Sequence, residues 1–370
     1  MKIPPGSYTI ESFLDYLADN TDELFTREER KWLKVYLIFV RRDWTKLFEE
    51  FAPTRLGDIY HIIVGAKGSP GIDFYVYERA PGLLMFFTSS TEEDYEKTLK
   101  RFIESTRGIT EMWIPPHRIE DAKGLVLSQY KGKIYRFIGR RTSITPTPAR
   151  TRPEYGRRIN YSGMDAGETL KEMQETYGII PFSLDFAVGD DSFKITNDGL
   201  FVLRTINEHT LRIMVTVIDA MLGYQLEMQK LTQGIAATTE FHKIGESTVR
   251  IPEIVAAKIR LKAQKLNAVW VERFFGQRRD LLGEELPAQD SEQPEFSFID
   301  TTVVEGSLLY SATVIDEFKG TIFGLSGGED EMLLVPKHRT TFESFVRFYR
   351  NIVEDIDKEA ELSILSEQIV

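Results

Sequence analysis

Arginines are the side chains whose number and spacing carry the most chemical information in this sequence. Residues 131–158 hold two lysines and seven arginines against a single acid, Glu154, which gives the stretch a net charge of +8. The complete chain of 370 residues carries a net charge of −11. An acidic protein repels polyanions overall, so only a local basic surface could attract one. The guanidinium fork matches phosphate geometry, and aromatic side chains in the same region could stack on bases.

A second basic stretch lies further along the chain. Between Lys258 and Arg279 the sequence has seven positive residues and one acid. Its apolar spacing predicts a helix over residues 254–275, with Lys258, Lys262 and Lys265 together on one face. Two Pro-x-His-Arg segments, each after a predicted strand, add further basic positions. The candidate nucleic-acid-binding residues are therefore Arg136, Arg140, Arg141, Arg150, Arg152, Arg157, Arg158, Lys258, Lys262, Lys265, His117, Arg118, His338 and Arg339.

These patterns predict a non-catalytic protein, nucleic-acid-associated or regulatory, that contacts DNA, RNA or another polyanion through the arginine-rich connector and the basic helix. The alternative is a structural subunit of an assembly, in which the arginines dock on an acidic surface of a partner protein or of a second copy of the chain. A third interpretation is that the arginines pair internally with surplus acids, including those of the acidic segment 284–295.

No catalytic residue, metal site or cofactor is predicted. The chain has no cysteine, and its five histidines lack the spacing of zinc ligands. A metal-dependent nuclease is the weaker alternative, because Asp73 and Glu78 would point to opposite faces of one extended strand. Arg204 and His209 have a spacing found in some metal-independent ribonucleases. Those enzymes place the two residues on one helix face, whereas Arg204 ends a predicted strand.

The elements that must position these residues predict an α+β fold with mostly antiparallel sheets. Strands punctuated by glycine and proline are predicted at 58–64, 72–77 and 83–87. Helices are predicted at 210–231 and 341–356 from their apolar periodicity. The basic residues would then lie on the connections and on one helix of a sheet-rich protein.

The length of the chain predicts two or three domains. The predicted segments are a helical N-terminal segment at 1–52 with a helix at 27–51, a first α+β module at 53–141, a basic Pro/Thr/Arg connector at 142–161, and a second α+β module at 162–370 with an acidic loop at 284–295. No apolar run is long enough for a membrane span or a signal peptide, so we expect a soluble, cytoplasmic protein with no membrane partner.

Two short segments resemble each other when one gap is allowed. Residues 111–118 and 331–339 both end a predicted strand with Pro-x-His-Arg and precede a predicted helix. We hypothesise that the two modules are a distant internal duplication. The alternative is that Pro-x-His-Arg is ordinary helix-start chemistry, in which proline ends the strand and the polar pair is solvated.

Overall fold

The computed structural model describes residues 1–25, 32–40, 43–65, 71–106, 108–141, 150–151, 156–235, 239–244, 247–252, 256–275, 295–304, 308–337, 340 and 342–365. Helices and antiparallel sheets of eleven and six strands confirm the predicted α+β class. The chain divides into two compact units. Unit 1 contains the described residues of 1–141 and 148–229, and unit 2 contains those of 230–370.

Unit 1 is built on the eleven-stranded antiparallel sheet. Its strands are β1 (Leu33–Val40), β2 (Thr54–Leu56), β3 (Ile59–Val64), β4 (Ile72–Ala80), β5 (Leu83–Thr88), β6 (Ile109–Glu111), β7 (Lys133–Arg141), β8 (Arg157–Ser162), β9 (Ile180–Val188), β10 (Asp191–Thr196) and β11 (Leu200–Leu203). They are ordered β2-β3-β4-β5-β1-β11-β10-β9-β7-β8, and β6 pairs with β1. This sheet therefore takes strands from all four of the predicted segments.

The predicted helix at 27–51 is wrong over its apolar centre, which forms β1. All eight residues of β1 are buried, and the strand pairs with β5 on one side and β11 on the other. A strand covered on both faces has a continuous apolar run, which periodicity alone does not distinguish from a buried helix. The β-branched and aromatic residues of this run favour the strand.

Helices cover both faces of this sheet. They are α1 (Ile10–Asp19), α2 (Thr21–Leu24), α3 (Trp44–Leu47), α4 (Glu92–Tyr95), α5 (Arg101–Ser105), α6 (Pro116–Gln129), α7 (Ala166–Tyr177) and α8 (Glu208–Ile235). A π-helical turn (Glu96–Lys100) joins α4 to α5. The predicted helix at 210–231 is confirmed as α8.

The two faces of the sheet have different apolar cores. The first core takes side chains from α1, α6, α7 and α8 and from strands across the sheet, including Phe137 of β7. The second core takes side chains from α3 to α5 and from β1, β3, β4, β5 and β11. Among the described residues, no side chain of β7 to β10 belongs to the second core. That half of the second face includes the polar residues Arg136, Asp185 and Lys194, which are neighbours across β7, β9 and β10.

Unit 2 is built on a six-stranded antiparallel sheet and a separate hairpin. The hairpin is β12 (Thr239–Ile244) and β13 (Ser247–Pro252), and the sheet comprises β14 (Ala256–Arg260), β15 (Phe296–Val304), β16 (Leu309–Asp316), β17 (Thr321–Gly327), β18 (Glu331–Pro336) and β19 (Glu361–Leu365). Its order is β15-β16-β17-β18-β14-β19. The helices are α9 (Ala268–Phe275) and α10 (Phe342–Asp355), and α10 confirms the predicted helix at 341–356.

The predicted basic helix at 254–275 is also wrong over most of its length. Residues 256–260 form β14, which is held between β18 and β19, and only α9 is helical. Residues 262–264 lie in the segment that joins β14 to α9. The backbone N–H groups of Lys262, Ala263 and Gln264 donate hydrogen bonds to Asp357 Oδ2 at 2.6, 2.7 and 3.2 Å. These N–H groups are therefore committed to a side chain rather than to helical carbonyls.

Among the described residues, no helix has the length and apolar character needed to cross a bilayer.

Candidate polyanion-binding surface

Two strands at the edge of the unit 1 sheet carry five of the seven arginines of the basic stretch. β7 pairs antiparallel with β8, and β8 is the last strand in the sheet order. Arg140 lies directly opposite Arg158, and Arg141 lies directly opposite Arg157. Directly opposed residues in an antiparallel pair have Cβ atoms roughly 5 Å apart, and like charges there are destabilising. Positive charge is therefore concentrated where β7 ends and β8 begins.

One face of the hairpin presents Arg136, Arg140 and Arg158, which we name the arginine face. Side chains alternate along a strand, so these three share the face opposite to buried Phe137. Arg136 Nε donates a hydrogen bond to Asn160 Oδ1 at 3.2 Å. The guanidinium carbon of Arg140 lies 5.8 Å from the centre of the Phe182 ring in β9. Arginines, an amide and an aromatic ring are thus combined on one strip, in which Arg158 and Asn160 are exposed and the other three side chains are half-buried.

The opposite face of the hairpin uses its arginines for packing. Arg141 is buried, and burial, followed by the nearby charge of Arg157, lowers its pKa. The guanidinium of Arg157 lies 4.9 Å from the centre of the Tyr177 ring at the end of α7, and its Nη2 donates to the Thr151 carbonyl at 3.2 Å. Arg157 therefore links β8 to the end of α7 and to Thr151, while Arg141 is buried.

Two residues of the arginine face, Arg136 and Arg158, differ from the lysines of the second basic stretch in their ion pairing. In the described part of the chain, neither Arg136 nor Arg158 has a carboxylate within ion-pair distance. The lysines of unit 2 each have one, because Lys258 Nζ lies 2.9 Å from Glu331, Lys262 Nζ 2.9 Å from Glu361 and Lys265 Nζ 3.2 Å from Glu329. The internal-pairing interpretation thus describes these three lysines better than Arg136 and Arg158.

The remaining candidate residues are not gathered on the arginine face. His117 and Arg118 are in the first turn of α6, which packs in the core on the other side of the sheet, and Arg118 pairs with Asp121 at 3.1 Å. Arg150 is exposed. Arg152, His338, Arg339 and residues 284–294 of the acidic loop lie outside the described residues.

Two residues of the surface, Asn160 and Phe182, were missed by the sequence argument. Asn160 lies two residues after Arg158 on β8, so the two side chains share a face, and this spacing is the signal in the sequence that could have identified Asn160. Phe182 belongs to β9, and only the pairing of β7 with β9 brings it under Arg140. Tyr135, an aromatic residue of the same basic stretch, instead accepts a hydrogen bond from Arg204 and lies under its guanidinium.

The residues considered for nuclease chemistry have separate partners. Asp73 Oδ1 lies 2.7 Å from His61 Nε2, while Glu78 accepts a hydrogen bond from the Gly82 backbone N–H at 3.1 Å. No cluster of three metal-binding side chains occurs within the described ranges.

Arg204 and His209 likewise engage different carboxylates. Arg204 Nη2 lies 2.7 Å from Asp185 Oδ2, and His209 Nδ1 lies 2.9 Å from Asp191 Oδ2. Arg204 follows β11 and only His209 is in α8, so the two do not share a helix face.

The chain is similar to known sequences over parts of its length. Residues 119–197 match a protein family described as AF_0896_M, family middle domain, and this range contains β7 to β10 and the whole arginine face. An uncharacterized protein of Archaeoglobus fulgidus is 20% identical over 297 residues, which cover 75% of this chain and 74% of the relative. No solved structure matches the chain.

Proposed function

We propose that this protein binds nucleic acid without catalysing a reaction, and that it holds the phosphate backbone on the arginine face. The observation that carries the proposal is the direct opposition of Arg140 and Arg158 in a chain of net charge −11. Like charges that lie directly opposite each other destabilise a sheet, and an anion bound between the two guanidinium groups would relieve this repulsion. Arg158 makes no ion pair with a described carboxylate, which is consistent with an external anion as its partner.

The dimensions of the arginine face suit several phosphates in a row. Arg136 and Arg140 are four residues apart on one strand, or about 13 Å at the usual rise per residue. One strand of a duplex places a phosphate about every 3.4 Å along its axis, so this span corresponds to about four phosphates. Arg158 lies on the neighbouring strand, about 5 Å to the side. Phe182 gives the face an aromatic ring that a splayed base could reach.

Salt dependence of binding tests the proposal. Labelled oligonucleotides of about 20 residues, as single-stranded RNA, single-stranded DNA and duplex DNA, are titrated by fluorescence anisotropy over a range of salt concentrations. A plot of the logarithm of the binding constant against the logarithm of the salt concentration has a negative slope. The variant Arg136→Ala/Arg140→Ala/Arg158→Ala should reduce the magnitude of this slope by about 2 to 3, because each lost phosphate contact removes about 0.7 to 0.9.

The matched control is Lys258→Ala/Lys262→Ala/Lys265→Ala, which removes the same charge from ion-paired positions. Its slope should equal that of the wild type. The proposal fails if no oligonucleotide binds at low salt, or if both triple variants change the slope equally.

The assembly hypothesis makes a different forecast for the same proteins. If the arginine face docks on an acidic surface of a second copy, light scattering will show an oligomer that dissociates with dilution. The arginine variant would then be monomeric while the lysine variant stays assembled. Oligomerisation of this kind without nucleic-acid binding would replace the proposed function with a structural one.

A further inference from the structure

A cleft of about 250 Å³ opens in unit 1, away from the arginine face, between α1, α8 and the strands β4 and β5. Its walls combine apolar and charged side chains. The apolar lining residues are Ile10, Leu14, Tyr77, Met85, Leu211 and Val215. Met85 and Leu211 are almost fully buried and form its floor. Small-molecule sites are typically concave and mostly apolar with a few polar groups, and this cleft is slightly smaller than their usual size of about 300 to 1,000 Å³.

The two arginines that line the cleft are already neutralised within the protein. Arg79 donates from Nε and Nη2 to the two carboxylate oxygens of Asp219, both at 2.8 Å. Arg212 donates to Glu208, one turn earlier in α8. Both guanidinium groups therefore have an internal carboxylate, and an anionic ligand would have to compete with it.

Two carboxylates at the rim, Glu11 and Asp15, remain uncompensated. Both line the cleft from α1, and neither makes an ion pair within the described part of the chain. They are four residues apart, so they lie on the same face of the helix with Cβ atoms roughly 6 Å apart. Like charges at this spacing destabilise a helix, and a cation between them would relieve the repulsion.

We propose that the cleft binds a linear aliphatic di- or polyamine. The ammonium groups pair with Glu11 and Asp15, and the methylene chain lies along Leu14, Met85 and Leu211. A doubly charged amine balances the two carboxylates, while its chain covers the aliphatic side chains. Such an amine complements both the acidic rim and the apolar floor of the cleft. An inorganic cation would make no contact with the apolar floor, and an aliphatic carboxylate would be repelled by the acidic rim.

Isothermal titration calorimetry on the full chain tests this site with spermidine and pentane-1,5-diamine, at constant ionic strength. We expect saturable binding with a stoichiometry of one. Glu11→Gln and Asp15→Asn should each weaken it about two- to fivefold, as expected for losing one exposed ion pair, and the double variant should weaken it more. The control Asp19→Asn removes the same charge one turn further along α1, from a residue that does not line the cleft.

The Asp19→Asn protein should bind the amines like the wild type, and pentanoate, an anion with the same chain length, should not bind. Equal weakening in Asp19→Asn would show that the amines only condense on an acidic protein. Absence of saturable binding up to about 10 mM amine, or binding of pentanoate in place of the amines, would likewise overturn the proposal.

Discussion

Asp185 and Arg204 form an ion pair beneath the polar half of the unit 1 sheet, with Asp185 Oδ2 2.7 Å from Arg204 Nη2. Only 2% of Asp185 is exposed. The guanidinium lies 5.0 Å from the centre of the Trp32 ring and also donates to the Tyr135 hydroxyl. This pair joins β9 to the residue after β11, and it shares its face of the sheet with Arg136, which lies opposite Asp185.

Asp185→Asn should destabilise the protein strongly. The substitution leaves a largely buried guanidinium without its counter-ion, for which the cost is typically about 3 kcal/mol. Urea unfolding of the variant measures the change in the free energy of unfolding. Asp219→Asn is the control, because its pair with Arg79 is about one-third exposed on both sides and should contribute about 1 kcal/mol or less. Equal losses in the two variants would contradict the distinction drawn between these pairs.

Arg158→Gln should make the free protein more stable while it weakens polyanion binding. The substitution removes one of two directly opposed positive charges, so the free energy of unfolding should rise by about 0.2 to 1 kcal/mol at low salt. The gain should disappear near 1 M salt, where the Debye length falls to about 3 Å. Lys265→Gln, which removes a lysine paired with Glu329, should give no such gain.

Lys34→Met should stabilise the protein most near neutral pH. Lys34 is 5% exposed in the central strand β1, and burial lowers the pKa of its amine, with the charge of Glu92 opposing that effect. Between this lowered pKa and the ordinary value near 10.4, the unfolded chain binds more protons than the folded chain, so wild-type stability rises with pH there.

The methionine variant lacks this titration, so its advantage should shrink as pH increases. We expect the free energy of unfolding of the variant to exceed that of the wild type by about 1 kcal/mol or more at about pH 8 and by clearly less at about pH 10.5. Urea unfolding at both pH values measures the difference, which cancels the contribution of the other alkaline groups. An advantage that stays constant over this window would refute the proposed cause.

The parts of the fold that could be predicted have either turn residues beside a short apolar run or one polar face. Pro81 and Gly82 precede β5, which could be predicted as a strand although all six of its residues are buried. α10 repeats its apolar residues with the period of a helix. β1 could not be distinguished from a helix because both of its faces are buried. The break before α9 depended on Asp357, nearly a hundred residues further along the chain.

The candidate site divides in the same way. Charge counting located the arginines of β7 and β8, but the choice of face requires the register that opposes Arg140 to Arg158. The same counting overestimated how much positive charge the unit 2 lysines offer to a ligand, because their carboxylate partners are distant in sequence, such as Glu331 of β18. Long-range pairing of this kind leaves no signal in local composition.

Tyr75 holds the N-terminal segment against the sheet, and its hydroxyl should ionise unusually late. Its oxygen accepts a hydrogen bond from the Ile3 backbone N–H at 2.7 Å, and its ring stacks on His61. Burial raises the pKa of Tyr75 to about 12. A tyrosine whose folded pKa is raised contributes stability below the unfolded value near 10, and this contribution is lost as pH rises towards 12.

The variant Tyr75→Phe tests both roles of this hydroxyl. Its absorbance titration at the tyrosinate band, subtracted from that of the wild type, should show little ionisation of Tyr75 at about pH 10.5, where an ordinary tyrosine is mostly ionised. Loss of the acceptor leaves the buried Ile3 N–H unpaired, at a cost of about 1 to 3 kcal/mol, so hydrogen exchange of this amide should accelerate. Tyr16→Phe serves as the control, because its ring lies in the same aromatic group but no described hydrogen bond joins it to Ile3. A Tyr75 that titrates near 10, or an Ile3 amide equally protected in both variants, would show that the hydroxyl does not anchor the N-terminus.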